Sequence, residues 1–154
     1  MSAVERVQAY LDRYHPGLKA IEFDTDTSTC ETAAATLGVE VGQIAKSLVF
    51  KGGEQYVMVV AAGDVRVDTK KLKKYVGVKV KLATPDEVLT LTGYPVGGVC
   101  PVALKTPLRI FLDDSLARFD VVYAAAGTPQ SALPVTLQQL QEVTRGEIVN
   151  LAQD

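Results

Sequence analysis

Hydrophobic and polar residues follow one another along this chain in short, clearly punctuated stretches. Val4, Val7 and Leu11 fall on one face of a helix that Ser2-Ala3-Val4-Glu5 opens as a capping box and that ends before Pro16-Gly17. Ala20 to Phe23 reads as a short strand, and the polar stretch Asp24 to Thr29 as a loop whose hydroxyls can cap the next helix. That helix, about Glu31 to Leu37, is alanine-rich and stops at Gly38, which suits a left-handed residue past a helix end. Ile44 to Phe50 and Gln55 to Ala61 flank Lys51-Gly52-Gly53-Glu54, the pattern of a hairpin. A helix opens at Asp68-Thr69 and ends at Gly77, followed by a strand over Val78 to Leu82. Thr84 and Pro85 mark another helix start, with the helix ending near Gly93. Leu108 to Leu112 and Asp120 to Ala124 read as strands, with a turn at Asp113-Asp114-Ser115 between them. Ala126 to Pro134 is expected to be a loop; Thr136 with Gln139 caps a last helix, and Glu147 to Leu151 fits a final strand. Helices and strands intermix without strict alternation, and a hairpin is present. The fold class is α/β of the α+β type, a mixed sheet with helices packed around it.

Composition narrows the chemistry. The chain has 154 residues, which suits a single domain spanning 1–154, and its 47% hydrophobic and 22% charged residues are those of a globular protein. No apolar run approaches the ~18 residues of a membrane span. The N-terminus lacks the basic start and apolar stretch of a secretory signal, so a cytoplasmic location is expected. Cys30 and Cys100 form no CxxC pair, and His15 is the only histidine. A structural zinc site needs about four N/S ligands, which this chain alone does not supply. A Ser-His-Asp or Cys-His enzyme would have to use His15, which has nothing around it to support that role. Asp113 and Asp114 fit a turn cap better than a metal site. The expected chemistry therefore uses neither histidine nor metal, and no cofactor.

Net charge is −2, yet Lys70 to Lys81 carries six lysines and no acid. Such a patch attracts phosphates even on an acidic protein. The same lysines also suit a solvated helix face followed by a protected strand edge.

Three segments could carry chemistry. Period-two alternation places Lys46 on one strand face with Ile44, Leu48 and Phe50. The lysine either snorkels to solvent or lines a pocket, where it meets an anionic or carbonyl group. Gly93-Tyr94-Pro95-Val96-Gly97-Gly98-Val99-Cys100-Pro101 is dense in glycine, which lets backbone amides approach a carbonyl or phosphate oxygen. It lacks the ending of a Walker A motif. Ala124 to Pro129 has small side chains, which leave room for a ligand or for a packed neighbour. Cys100 has no evident base nearby and suits a buried apolar role.

The order of these pieces resembles the YbaK/prolyl-tRNA synthetase-associated editing domain. The pattern comprises Thr32-Ala33-Ala34-Ala35-Thr36-Leu37-Gly38-Val39, Gln43-Ile44-Ala45-Lys46-Ser47-Leu48-Val49-Phe50, Gly93 to Pro101, Ile110-Phe111-Leu112-Asp113 and Ala126-Gly127. The resemblance runs over about residues 20 to 151. It implies a curved, barrel-like mixed sheet surrounded by helices, and hydrolysis of the ester joining a wrong amino acid to tRNA. It places the family's essential lysine at Lys46 and its Gly-x-x-x-Pro loop at Gly97, Gly98, Val99, Cys100 and Pro101, with Ala126 and Gly127 beside the substrate. On this reading Lys70, Lys71, Lys73 and Lys74 hold the acceptor stem by phosphate contacts. The partners implied are a mischarged aminoacyl-tRNA, with tRNA-Pro carrying a small wrong amino acid as first choice, and an aminoacyl-tRNA synthetase.

Several positions depart from the pattern. Ala125 and Ala132 occupy places where relatives acting on Cys-tRNA tend to carry a serine and an acid. The late histidine of relatives acting on Ala-tRNA is missing. Ala103 stands where many relatives have glycine, and Cys100 replaces a common serine. Two other readings stay open: a non-catalytic aminoacyl-adenosine or protein-binding module, and a thiol enzyme using Cys100.

Overall fold

The computed structural model describes residues 2–154. Helix α1 (Ala3–Tyr14) begins where the Ser2 hydroxyl accepts the Glu5 amide and Glu5 accepts the Ser2 amide, so two amides at the helix start are satisfied reciprocally. There follow β1 (Ile21–Glu22), α2 (Cys30–Leu37), the hairpin β2 (Ile44–Gly52) and β3 (Gln55–Ala62), and α3 (Thr69–Val76). Then come β4 (Val80–Leu82), α4 (Pro85–Thr92), β5 (Arg109–Asp113), β6 (Val122–Ala124), β7 (Ser131–Val135), α5 (Leu137–Thr144) and β8 (Glu147–Val149). The caps expected at Thr84, Gly38 and Thr136 are all present.

The eight strands form one mixed sheet in the order β1-β7-β6-β2-β3-β5-β8, with β4 also paired to β2. The hairpin is antiparallel and in register from Ala45↔Ala62 to Gly52↔Gln55. β6 and β5 run parallel to β2 and β3, and β8 runs parallel to β5. One strand was not expected. β7 takes up the last four residues of the stretch read as a loop and continues to Val135, pairing Ala124↔Leu133 and Val122↔Val135 with β6. Pro134 argues against a strand from sequence, because proline cannot donate to a ladder. Here β1 pairs only with Ser131 and Ala132, so beyond them one edge of β7 is uncovered and tolerates the missing N–H.

Both faces of the sheet are covered. On one, Val7 and Leu11 of α1, Val88 of α4 and Leu140 of α5 pack with Ala45, Val49, Met58 and Leu112. On the other, Leu72 and Val76 of α3 pack with Phe50, Val57, Val59 and Phe111, and Ala33 and Ala34 of α2 pack with Ile44. A wholly buried leucine such as Leu72 contributes about 1.5–3 kcal/mol. Buried Asp113 accepts the amides of Ser115 (3.1 Å) and Leu151 (2.6 Å), so it caps a turn, as the sequence suggested, and also fastens the C-terminal segment.

The ladders leave one opening that matters for function. β6 pairs with β2 only at Ile44 and Ala45, and β4 only from Phe50 onward. A strand aims its N–H and C=O groups alternately at its two edges. Ala83 donates to the Val49 carbonyl on the β4 side, whereas Gly63 donates to the Ile44 carbonyl on the β3 side. By that alternation the main-chain N–H and C=O of Ser47 face the uncovered interval between β6 and β4.

Candidate active site

A cavity of about 420 Å³ lies at this interval. The middle of β2, the start of α2, the loop after α4 and the facing ends of β6 and β7 all contribute to its wall. Lys46 is the one charged side chain among the residues that line it. It shares a strand face with Ile44 and Leu48, and so stands between the cluster under α2 and the cluster under α3. It is half-buried, and its ammonium donates to the Val65 carbonyl. That bond occupies one of three N–H donors and leaves two for a ligand. Asp64 is close enough for Lys46 to help lower its pKa. Its carboxylate is nevertheless committed to Arg118, which is the main cause of that lowering, with Nη2 2.6 Å from Oδ1. Among the described residues Lys46 therefore has a carbonyl partner and no carboxylate partner. Cys30, the first residue of α2, also lines the cavity; burial pushes its thiol pKa up, and the charge of Lys46 partly opposes that.

The glycine-rich loop reaches the cavity through Val96, Gly97 and Val99. Gly97 has φ +92°, a left-handed conformation that a side chain would strain, and a Cβ there would come within 2.9 Å of Ser28 Cβ. A Cβ on Gly98 would meet the Thr128 backbone at 2.7–3.0 Å. These two glycines thus let the loop pack directly on the chain before α2 and on the turn after β6. The Gly98 amide closes a turn onto the Pro95 carbonyl at 2.9 Å. Among the described residues the Val96, Gly97, Val99 and Cys100 amides have no acceptor, and of these Val96, Gly97 and Val99 belong to residues that line the cavity. Buried Tyr94 ties the loop's ends, donating to the carbonyls of Val102 (2.7 Å) and Ala103 (2.9 Å), with the Arg6 guanidinium 4.7 Å from its ring centroid. Ala103 is left-handed, at φ 54°.

The other residues singled out from sequence take different places. Cys100 is wholly buried and burial pushes its thiol up to about 12, so it stays protonated and out of reach. Pro101 is buried behind the loop. Ala126 is also wholly buried, and Gly127 packs against Ala3 and Tyr94; the residues that line the cavity there are Ala124, Ala125 and Ala132. Ser131 was not singled out. Its buried hydroxyl accepts the amides of Ala126 (3.0 Å) and Thr128 (3.3 Å) and donates to the Thr128 carbonyl (2.9 Å), which shapes this turn. Thr27, Ser28, Thr29 and Ser47 also line the cavity, and nothing but their places in the fold identifies them. On α3, Lys70, Lys73 and Lys74 are exposed, and none of α3 lines the cavity. Lys71 is engaged by Asn150, the Ala152 carbonyl and Asp154. His15 caps the end of α1 and is no part of the site. Among the described residues no cluster of acids, histidines and cysteines could hold a metal, and no helix is long and apolar enough to cross a membrane.

Residues 24–143 match the family model described as the aminoacyl-tRNA editing domain. The Bacillus subtilis (strain 168) protein YwhH, itself uncharacterised, is 38% identical over 147 residues, covering 95% of this chain and 94% of that one. The multifunctional Ser/Thr-tRNA deacylase ProXp-y of Escherichia coli (strain K12) is 31% identical over 127 residues, 79% of this chain and 76% of its own. A crystal structure provisionally described as a trans-editing enzyme for prolyl tRNA synthetase superposes with a TM-score of 0.94 at 38% identity, covering 100% of this chain and 99% of that one.

Proposed function

The chain belongs to the aminoacyl-tRNA editing domain family, and from that premise we propose that it is a cytoplasmic trans-editing deacylase. In this reading it hydrolyses the ester of a mischarged tRNA, with tRNA-Pro bearing a small wrong amino acid as the first substrate to try. The deacylase relative and the crystal structure described for prolyl tRNA synthetase support this choice. One observation carries the reading. Lys46 is the sole charge on the wall of an otherwise apolar and hydroxyl-lined cavity, beside free amides of a glycine loop.

The chemistry follows from that arrangement. Water attacks the ester carbonyl, whose oxygen becomes an oxyanion in the tetrahedral intermediate. Amides held rigidly by the loop stabilise that charge without reorganising during the reaction. In this reading the free amides of Val96, Gly97 and Val99 are the donors, and the free N–H bonds of Lys46 polarise the carbonyl from the β2 side. Collapse of the intermediate releases the amino acid and returns a proton to the ribose oxygen of the tRNA.

The test is deacylation of tRNA-Pro charged with Ala, Ser, Thr or Cys, with matched controls, by wild type and Lys46→Ala. Loss of an oxyanion donor costs about 10²–10³ in kcat. Lys46→Ala is expected to lose at least about 10²-fold in kcat with the fold intact by circular dichroism. A rise in KM alone would instead assign Lys46 to holding a substrate phosphate. Full activity in the variant would remove it from the site, and an inactive wild type across the panel would favour a binding module.

A further inference from the structure

Outside the cavity, a groove of about 380 Å³ on the β2–β4 ribbon is lined by Lys51, Gly53, Lys79, Val80 and Lys81. Lys51 stands directly opposite Lys81 in the ladder, and Lys79, the residue before β4, lines the same groove two residues away. Like charges placed opposite one another in an antiparallel pair are destabilising, so the fold itself gains nothing from this arrangement. Lys51 has an acid partner, Glu87, at 3.6 Å, and lies 5.5 Å from the Tyr56 ring centroid. Exposed Lys79 and Lys81 have no ion-pair partner among the described residues.

Position gives the groove its meaning. β4 runs from it directly to the cavity: Leu82, the residue after Lys81, is 60% exposed and, like Ala83, lines the cavity wall. Val96, also 60% exposed, contributes to that wall from the glycine loop. A chain leaving the cavity past Leu82 meets Lys81 and then Lys79. At about 3.3 Å per strand residue these lysines stand roughly 6.6 Å apart, on the order of the separation of successive phosphates in an extended strand. α3 lacks this continuity, and its Lys71 is already engaged by the C-terminal segment.

Resting on the deacylase reading, we propose that Lys51, Lys79 and Lys81 bind the phosphates of the single-stranded RNA 3′ end that leads into the cavity. The Lys79–Lys81 segment at the start of β4, and not the lysine face of α3, is then the main electrostatic contact with the RNA.

The test measures binding of uncharged tRNA against salt for wild type, K79A/K81A and K70A/K73A/K74A, so that it does not depend on turnover. Hydrolysis of an aminoacyl ester of adenosine, which has no phosphates, serves as the check that each variant is folded. K79A/K81A is expected to weaken tRNA binding severalfold. It should also flatten the slope of log K against log salt by about 1.4, at about 0.7 for each single-strand phosphate that a lysine no longer neutralises. Its hydrolysis of the adenosine ester should equal that of wild type. An unchanged slope in K79A/K81A, or a larger loss in the α3 triple variant, would overturn the proposal. So would self-association of K79A/K81A with tRNA binding intact, since the lysines would then be guarding a strand edge. A wild type that binds tRNA through this groove but hydrolyses no ester leaves the groove standing and removes the deacylase reading.

Discussion

Gly98→Ala separates the work of the glycine loop from mere backbone freedom. A Cβ at Gly98 would lie 2.7 Å from Thr128 C, 2.8 Å from its Cα and 3.0 Å from its N, whereas ordinary contact begins near 3.4 Å. The shortfall is roughly 0.7 Å. The three nearest atoms all belong to the Thr128 main chain, which cannot swing away as a flexible side chain can. Overpacking of this kind costs about 1–3 kcal/mol. Reduced freedom of the unfolded chain returns about 0.4–1 kcal/mol. The net loss should therefore be about 1–2 kcal/mol. At roughly 2–4 °C per kcal/mol for a chain of this length, the melting temperature should fall by about 2–8 °C.

The functional consequence should be larger than the thermal one. Relieving the clash moves the loop away from the turn after β6 and carries the Gly97 and Val99 amides with it. A misplacement on the order of 1 Å at a reacting centre can lower the rate about 10²-fold. The assay is calorimetry together with deacylation kinetics measured well below the melting point. Gly77→Ala is the control: Gly77 has φ +93° with nothing within 4 Å of its missing side chain, so it carries backbone strain alone. That variant should lose about 1–2 kcal/mol and keep its kcat. A Gly98→Ala protein that melts and turns over like wild type would refute the contact between loop and turn.

Two further outcomes follow from the same loop. Ala103→Gly relieves a left-handed alanine at φ 54° and should raise stability by up to about 1 kcal/mol, read as a small rise in melting temperature with unchanged kinetics. Cys100→Ser places a hydroxyl in a wholly buried site and should cost about 1–3 kcal/mol while keeping kcat; loss of turnover in the folded variant would point to thiol chemistry instead.

What could be read in advance was whatever short-range patterning decides. Capping residues located the helices, and the two glycines after Lys51 located the hairpin, because both signals act within a few residues. The face shared by Ile44, Lys46, Leu48 and Phe50 was also legible, and it is the face covered by α2 and α3. The uncovered interval beside Ser47 was not, since it depends on where the ladders to β6 and β4 happen to end. Nor was β7: Pro134 and the small residues before it read as a loop, and only pairing with β6 makes them a strand. Ser131 went unnoticed for the same reason. Its hydroxyl matters because the fold returns it to Ala126 and Thr128. Resemblance pointed to Ala125 and Ala132 as occupants of the pocket, and both line it; Ala126 and Gly127, taken from the same motif, support the wall from behind.

The wall of the cavity leaves one question that the substrate must answer. Among the residues lining it there is no carboxylate and no imidazole, and its one thiol, Cys30, is held protonated by burial at neutral pH. Lys46 donates to the Val65 carbonyl, so the wall offers no carboxylate, imidazole or thiolate to take a proton from water. The substrate itself offers a group: the free hydroxyl of the terminal ribose adjoins the ester and can orient the attacking water. An aminoacyl-tRNA ending in 2′-deoxyadenosine, with the amino acid on the 3′ oxygen, should therefore bind with a similar KM. Its kcat should fall by about 10²–10⁴-fold, the range for loss of general acid–base help. Single-turnover hydrolysis of the deoxy and ribo substrates by the same enzyme provides the comparison. Equal rates would place the proton acceptor in the protein, and the hydroxyls of Thr27, Ser28 and Thr29 at the start of α2 would become the groups to change next.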